Sequence, residues 1–262
     1  MAGKLYVVGI GPGDPELMTL KAVRILKQTP CIFVPKGREE GTSLALSIVQ
    51  KALPLDGKDI VEAYFPMVKT TPHPSPLPMM GEGGNLSPLP RGEREASQAD
   101  DLDSKWNETV ERVLGRLEKG IDVAFITIGD PAIYSTFFYL HDRLLERRPA
   151  LSIEIVPGIS SINASAARAG MYLGLGNERI AILPANYLDS LHDTLEKFDT
   201  VVLMKVNKVF DTVKETLVRM DLAAKAVYVC RAGMEDERVY KDILQVRQED
   251  LNYFSLVIVR KR

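Results

Sequence analysis

Long apolar runs are missing from this chain of 262 residues, and none approaches the roughly 20 residues of a transmembrane helix. Residues Gly3 and Lys4 lead into a strand that is too short for the apolar core of a signal peptide. Blocks of lysine and arginine are also missing, the formal net charge is −2, and the isoelectric point is about 6.0. We therefore expect no membrane partner, no nucleic-acid partner and a cytoplasmic location.

Cysteine and histidine are scarce. Cys31 and Cys230 both lie in apolar, strand-like stretches, which favours buried free thiols in a reducing compartment over a disulfide framework. The three histidines, His73, His141 and His192, are scattered and share no metal-ligand spacing with each other or with the cysteines. We expect no protein-bound metal.

What the chain does contain is an alternation of apolar strands and helical patterns. Strands at 5–8, 31–34 and 123–128 are separated by helical segments, which is typical of parallel βαβ units. The last strands of the chain follow one another without a clear helix, which predicts an antiparallel edge. The pattern predicts an α/β fold of two domains, an N-terminal one over residues 1–128 and a mixed C-terminal one over residues 129–262.

Residues 70–100 interrupt this alternation. They contain six prolines and four glycines, and no valine, isoleucine, phenylalanine, tyrosine or tryptophan. Such a segment cannot bury enough apolar area to offset its ordering entropy, so we expect a flexible surface insertion. A proline-rich ligand for a partner module is the alternative, but the P-x-x-P spacings arise from composition alone. Deleting residues 72–98 is expected to leave activity and melting temperature nearly unchanged.

A glycine-rich turn follows the first strand, where Gly9, Gly11 and Gly13 alternate and Pro12 stands between the last two. A strand, a glycine-rich turn and a helix start usually indicate a phosphate site. Proline has no backbone N–H, so this turn is a poorer phosphate cradle than a G-x-G-x-x-G loop. It is better suited to the close approach of another backbone or of a flat ligand.

Three further loops of this kind follow predicted strands, at residues 129–136, 157–161 and 230–234. Ligands of open α/β sheets bind at the carboxyl ends of the strands, so four such loops predict one shared cleft. Asp130 offers an acceptor for a ribose or an amino group. Ser160 and Ser161 stand where a helix should begin and are suited either to cap it or to bind.

The segments 8–21, 129–131 and 156–161 resemble, in this order, the tetrapyrrole (corrin/porphyrin) methyltransferase family, and the likeness extends over nearly the whole chain apart from residues 70–100. Within the family, residues 129–136 and 253–259 are similar to the C20-methyltransferases of cobalamin biosynthesis, which act on precorrin-2 or its cobalt complex, cobalt-factor II. The resemblance implies two α/β domains with a ligand cleft between them, a homodimer, and S-adenosylmethionine as methyl donor.

The resemblance also implies which positions contact the donor, largely through backbone. They are Pro12, Ile128, Gly129, Asp130, Ile133, Ser160, Ser161, Met204 and Ala232. Ile128 departs from the family, whose members often have glycine there, a difference of little consequence for a backbone contact.

Methyl transfer from a sulfonium depends mainly on aligning the carbon nucleophile with the methyl group, and it requires no catalytic triad. The C20 carbon must lose a proton after methylation, so a base can help. Asp14 and Tyr134 are candidates because their loops should face the cleft, although Asp14 is equally suited to cap the next helix. Lys36, Lys205 and Arg231 follow strand ends and are candidates to bind the carboxylates of an anionic tetrapyrrole.

Two alternatives stay open at this point. One is a family member that methylates a different position or a different substrate. The other is a non-catalytic nucleotide-binding module, which predicts phosphate-dependent binding. The sequence favours neither metal-free precorrin-2 nor cobalt-factor II, because cobalt would arrive with the substrate.

Overall fold

The computed structural model of the protein describes residues 2–37, 43–65, 93–185 and 191–261, with side chains described throughout these ranges except at 93–101. Two five-stranded sheets organise the described residues. None of the helices in these ranges combines the length and the apolar character that crossing a membrane requires.

The first sheet is entirely parallel. Its strands are β1 (Leu5–Gly9), β2 (Cys31–Lys36), β3 (Asp59–Tyr64), β4 (Val123–Thr127) and β5 (Ile153–Val156). They are arranged in the order β3-β2-β4-β1-β5. The central strands are buried on both faces, which explains why they are apolar throughout rather than alternating.

Four helices cover this sheet: α1 (Leu20–Gln28), α2 (Leu44–Ala52), α3 (Glu93–Glu118) and α4 (Phe138–Arg147). Successive strand residues point to opposite faces, so Val7 and Phe125 pack in the core that contains α3 and α4, whereas Val8 and Ile126 pack in the core that contains α1 and α2. The helix α1 begins at Leu20 because the hydroxyl of Thr19 accepts a hydrogen bond from the N–H of Ala22.

The second sheet is mixed. Its strands are β6 (Ile180–Pro184), β7 (Thr200–Met204), β8 (Ala226–Cys230), β9 (Arg238–Tyr240) and β10 (Ser255–Arg260), in the order β6-β7-β10-β8-β9. The pair β6–β7 is parallel and the other described pairs are antiparallel. The helices α5 (Ser161–Ala169), α6 (Leu191–Lys197) and α7 (Phe210–Arg219) accompany this sheet. On one face α5 packs against buried residues of β7, β8 and β10.

The predicted α/β class and the antiparallel edge are confirmed. The sheets change later than the predicted boundary at 128/129, because β5 pairs in parallel with β1 and so belongs to the first sheet. Division of the chain into two domains stays a prediction.

The predicted insertion at 70–100 falls partly outside the described residues, since 66–92 are not described. Residues 93–100 form the start of α3, so the prediction of a flexible segment is wrong for them. Residues 93–100 contain no proline or glycine and include glutamate, arginine, alanine and glutamine, which favour a helix.

Candidate active site

Three strands of the first sheet end side by side. Gly9 is in register with Thr127, and Val8 is in register with Val156, so β1, β4 and β5 finish at one edge of the sheet. The segments that leave these strands are named loop A (residues 9–14), loop B (128–136) and loop C (157–161), and loop D (230–234) leaves β8 of the second sheet. The sequence predicts that these four loops meet, and the structure shows direct contacts between them.

Loops A, B and C meet through glycine backbone. The N–H of Gly129 donates to the carbonyl of Gly11 at 2.8 Å, forming an isolated antiparallel bridge. A Cβ atom added to Gly158 would lie 2.2 Å from the carbonyl oxygen of Gly129 and 2.9 Å from the Cα of Gly9. Only glycine permits this approach. The alternating glycines of loop A therefore serve backbone packing between loops.

Asp130 joins loop B to loop C. Its Oδ1 accepts from the N–H of Ala132 at 2.8 Å, and its Oδ2 accepts from the N–H of Gly158 at 2.9 Å. Both carboxylate oxygens thus have backbone donors. The predicted role of Asp130 as an acceptor for a ligand stays a prediction, and the structure adds a role in fixing the loops.

Loop D closes on loop A from the second sheet. A Cβ added to Gly13 would lie 2.5 Å from Cγ of Met234 and 3.1 Å from the carbonyl oxygen of Ala232. Gly233 has φ +77°, and a Cβ there would lie 2.9 Å from the backbone nitrogen of Asp14. Pro12 is buried at this junction. Loop A is therefore enclosed by loops from both sheets.

An apolar cluster lies beside these loops. Ile133 of loop B, Met204 at the end of β7 and Ala232 of loop D all pack in the cluster that contains Ile162 of α5. Ile128, by contrast, packs against the core on the α1 and α2 side of the first sheet. The structure thus brings the side chains of Ile133, Met204 and Ala232 together, whereas a contact of Ile128 with the donor through its backbone stays a prediction.

The start of α5 forms one border of the site. The hydroxyl of Ser160 accepts from the N–H of Ile162 at 3.2 Å, and Ser160 is only 6% exposed, so it caps the helix. A Cβ added to Gly129, which has φ +76°, would have the nitrogen of Ser161 as its nearest neighbour at 3.9 Å. Loop B therefore lies directly beside the N-terminus of α5.

The two candidate bases have different surroundings. Oδ1 of Asp14 accepts from the N–H of Glu16 at 2.9 Å, and its Oδ2 lies 3.8 Å from Nη2 of Arg168. Tyr134 has a left-handed backbone with φ 53° and is 48% exposed. Its hydroxyl donates to the carbonyl of Ile182 at 3.5 Å. The contacts of Asp14 are those of a helix cap with a cationic neighbour.

The three predicted cations have different surroundings. Nζ of Lys36 lies 2.9 Å from Glu62, in a groove of about 280 Å³ that Tyr64, Lys105 and Arg112 also line, and none of the residues lining this groove belongs to the four loops. Nε of Arg231 lies 2.5 Å from Oδ1 of Asp236, and this hydrogen bond holds the pKa of Asp236 below its usual value. Lys205 follows Met204 and lies beside loop B.

Sequence reasoning missed two charged residues that link the loops. Arg168, in the last turn of α5, lies 3.1 Å from Glu237, and Glu237 accepts from the N–H of Gly233 at 2.6 Å. From the sequence, a basic residue in the last turn of a helix indicates only a favourable interaction with the helix dipole. It does not indicate that Arg168 contacts a distant segment.

One group in the described ranges has the composition of a metal site. Ligand atoms of His192, Asp193 and Glu196 lie within 4.8 Å of one another, and all three residues are exposed on α6. They share one surface of a single helix, so we assign no metal to them.

Two solved methyltransferases share this architecture. A cobalt precorrin-4 methyltransferase matches with a TM-score of 0.69 at 20% identity, covering 98% of this chain and 94% of that one. A uroporphyrin-III C-methyl transferase from Thermus thermophilus, complexed with S-adenosyl homocysteine, matches with a TM-score of 0.61 at 19% identity, covering 99% and 98%. At these identities the likeness establishes the fold.

The sequence comparisons go further. The family model described as Tetrapyrrole (Corrin/Porphyrin) Methylases matches residues 4–246. A probable cobalt-precorrin-2 C(20)-methyltransferase of Methanocaldococcus jannaschii is 35% identical over 260 residues, which is 98% of this chain and 96% of the relative. The cobalt-precorrin-2 C(20)-methyltransferase of Salmonella typhimurium is 31% identical over 264 residues, which is 100% and 98%. The chain belongs to the tetrapyrrole (corrin/porphyrin) methylase family, whose members depend on S-adenosylmethionine. The family predicted from the loop motifs is confirmed.

Proposed function

We propose that this enzyme transfers a methyl group from S-adenosylmethionine to C20 of precorrin-2 or of its cobalt complex, in cobalamin biosynthesis. The observation that carries the proposal is the full-length match, at 35% and 31% identity, to two relatives named for C20 methylation of cobalt-precorrin-2. A precorrin-2 C(20)-methyltransferase of Sinorhizobium is 28% identical over 98% of this chain. Relatives named for both forms of the substrate therefore match nearly the whole chain.

The geometry of the four loops fits the donor. S-adenosylmethionine has no phosphate, so a site built from glycine backbone and an apolar cluster suits it better than a phosphate cradle does. Gly129 of loop B lies beside Ser161, at the N-terminus of α5, where backbone N–H groups are suited to hydrogen bonding. The cluster around Ile133, Met204 and Ala232 offers apolar contacts to a flat base. We propose that these residues, with Pro12, Ile128, Asp130 and Ser160 supporting the loops, form the donor site.

The chemistry asks little of acid and base groups. The donor supplies an activated methyl group, and the chain contributes by holding the acceptor carbon in line with it. Loss of the C20 proton follows methylation, and we propose Asp14 and Tyr134 as the two side chains to test as its acceptor. Asp14 is engaged by Glu16 N–H and by Arg168, which favours capping as its main role.

The substrate carries carboxylates, and we propose that Lys205 and Arg231 bind some of them at the rim of the loops. Lys36 lies in the separate groove near α3, so it would contact only a substrate that extends there. Cobalt, where it is present, belongs to the substrate.

We further propose that the enzyme works in the cytoplasm as a homodimer. The edge strand β6 supports the homodimer. Ile180 and Ile182 are 42% and 39% exposed on this strand, which is unpaired on one side in the described sheet. Such an edge favours association with another chain. Sedimentation equilibrium of the protein, with Ile182→Lys as the variant, tests the dimer.

The decisive experiment is a turnover assay that offers precorrin-2 and cobalt-factor II side by side with S-adenosylmethionine carrying a ¹³C-labelled methyl group. The expected result is a product with one added methyl group, assigned to C20 by NMR. A label at another ring position would show that the enzyme methylates a different carbon, as other members of the family do. No product from either substrate would overturn the proposal.

A calorimetric titration addresses the nucleotide-binding alternative. S-adenosylhomocysteine is expected to bind tightly, and ATP is expected to bind weakly or not at all. Binding that requires phosphate would favour the non-catalytic module instead.

A further inference from the structure

Non-glycine residues with left-handed backbone gather around the proposed site. In the described ranges four such residues occur, and Tyr134, Lys205 and Arg231, with φ of 53°, 60° and 54°, all follow strand ends beside loops B and D. For side chains of this size such a backbone is unfavourable by about 1 kcal/mol or more, and it persists where the surrounding structure or function requires it. The left-handed backbone at these three positions therefore suggests that the orientation of their side chains serves a function.

Lys205 has an unusual environment. Its Nζ lies 5.5 Å from the ring centroid of Tyr134 and 5.8 Å from that of Tyr253. Its backbone N–H donates to the carbonyl of Ser255 at 3.1 Å, which fixes the start of the side chain. Lys36 and Arg231 have carboxylate partners, but Lys205 forms no ion pair with any residue that the structure describes. Its charge is held by two aromatic rings and stays available to an anion.

The rings around Lys205 continue into an aromatic surface. Tyr253 packs edge-on against Phe254, with centroids 5.3 Å apart, and Phe254 is 37% exposed. Tyr134 is 48% exposed and comes from loop B of the first sheet, whereas Lys205 and Tyr253 come from the second. A flat ligand with anionic side chains matches such a surface, because aromatic faces stack on its plane and the ammonium meets a carboxylate.

We propose that Tyr134, Lys205 and Tyr253 form a subsite that fixes the orientation of the substrate macrocycle, with Lys205 binding one peripheral carboxylate and the tyrosine rings contacting the ring plane. This inference rests on the proposed function, and it gives Tyr253 a role in substrate binding, which the resemblance of residues 253–259 did not specify. Orientation matters because a macrocycle of repeated pyrroles presents several similar carbons, and one fixed carboxylate determines which of them faces the methyl donor.

The subsite gives Tyr134 a role that depends on its ring and not on its hydroxyl. The hydroxyl already donates to the carbonyl of Ile182. Tyr134→Phe should therefore keep substrate affinity, whereas Tyr134→Leu should weaken it. A base at this position would instead make Tyr134→Phe lose kcat as severely as Tyr134→Leu, because both variants lack the hydroxyl.

The test uses the full-length protein and two binding probes. Uroporphyrin III, a stable porphyrin with carboxylates around its rim, is titrated by absorbance, and S-adenosylhomocysteine is titrated by calorimetry. Lys205→Met is expected to weaken uroporphyrin binding about tenfold, as expected for loss of a charge-assisted hydrogen bond. Binding of S-adenosylhomocysteine should be unchanged. Lys208→Met, which removes an exposed lysine from the same short helical segment, should change neither.

Three further measurements make the outcome decisive. Lys205→Arg should restore most of the affinity, and rising salt should weaken the wild type more than Lys205→Met. In turnover assays Lys205→Met should have a higher KM for the tetrapyrrole than the wild type, with only a small change in kcat. Unchanged uroporphyrin affinity and unchanged KM in Lys205→Met would overturn the subsite. Failure of the wild type to methylate either tetrapyrrole while it still binds S-adenosylhomocysteine would overturn the proposed substrate instead.

Discussion

Arg168 and Glu237 form an ion pair in which Nε lies 3.1 Å from Oε2, and this contact ties the last turn of α5 to loop D. Glu237 also accepts a hydrogen bond from the N–H of Gly233 in loop D. Arg168 lies near Asp14 of loop A as well. The N-terminus of α5 meets loop B near Gly129. One helix therefore touches the proposed site at both of its ends, and it connects loops that leave two different sheets.

The first prediction concerns Asp14. Asp14→Asn keeps an acceptor for the N–H of Glu16 and removes the charge that faces Arg168. Because capping accounts for its contacts, turnover should stay within about threefold of the wild type, a difference of less than about 1 kcal/mol. Asp14→Ala should lower the free energy of unfolding by about 1 kcal/mol, the usual effect of losing a cap. A drop in kcat of a hundredfold or more in Asp14→Asn, with normal binding of S-adenosylhomocysteine, would identify Asp14 as the base.

A second prediction tests the glycine contacts between the loops. Gly158→Ala places a methyl group 2.2 Å from the carbonyl oxygen of Gly129, so loops A, B and C must separate. We expect a loss of about 2 kcal/mol or more in the free energy of unfolding, measured by urea denaturation, and loss of S-adenosylhomocysteine binding.

Gly115→Ala is the matched control. Gly115 lies inside α3, and a Cβ added there has no neighbour within 4 Å. Alanine in a helix interior should stabilise the protein by up to about 1 kcal/mol and leave binding unchanged. Equal effects of the two substitutions would show that the close approach at Gly158 has no special importance.

A third prediction concerns acid stability. Two hydrogen bonds, the more important from Lys21 and the other from Lys4, lower the pKa of Glu154 from its usual 4.5 to about 2. Because the folded pKa lies below the unfolded one, the pairing stabilises the fold above pH 4.5, and this contribution is lost as the pH falls toward 2. Glu154→Gln should therefore be less stable than the wild type at neutral pH, and the difference should shrink in acid. Urea midpoints measured across this range check it, and a difference that does not vary with pH would point to packing instead.

The fourth prediction concerns the two thiols. Cys31 and Cys230 are buried. The pKa of Cys31 is raised to about 12, mainly by burial and to a smaller extent by the nearby charge of Asp59. Burial also raises the pKa of Cys230. Alkylation requires the thiolate, so iodoacetamide at mildly alkaline pH should modify neither cysteine in the folded protein and both in urea. Rapid labelling of either one in the native state would contradict the buried position.

Periodicity alone located most of the strands. The predicted strand at 5–8 is one residue shorter than β1, that at 31–34 is two residues shorter than β2, and that at 123–128 is one residue longer than β4. These strands are short and bounded by clear turns, so the local pattern contains the information. The start of α3 at Glu93 was missed because its first turns follow a segment of opposite composition and lack an apolar stripe.

The loop motifs by themselves determined the family and predicted that four loops meet at the strand ends, because glycine and proline restrict the backbone locally and parallel strands end at one edge. Only the tertiary structure decided how the charged residues are used. It paired Lys36 with Glu62 of the neighbouring strand and placed Lys205 between the rings of Tyr134 and Tyr253. Ion pairs and cation–π contacts join residues far apart in the chain, and a side chain's partner depends on how two sheets and α5 pack together. No local pattern encodes that packing.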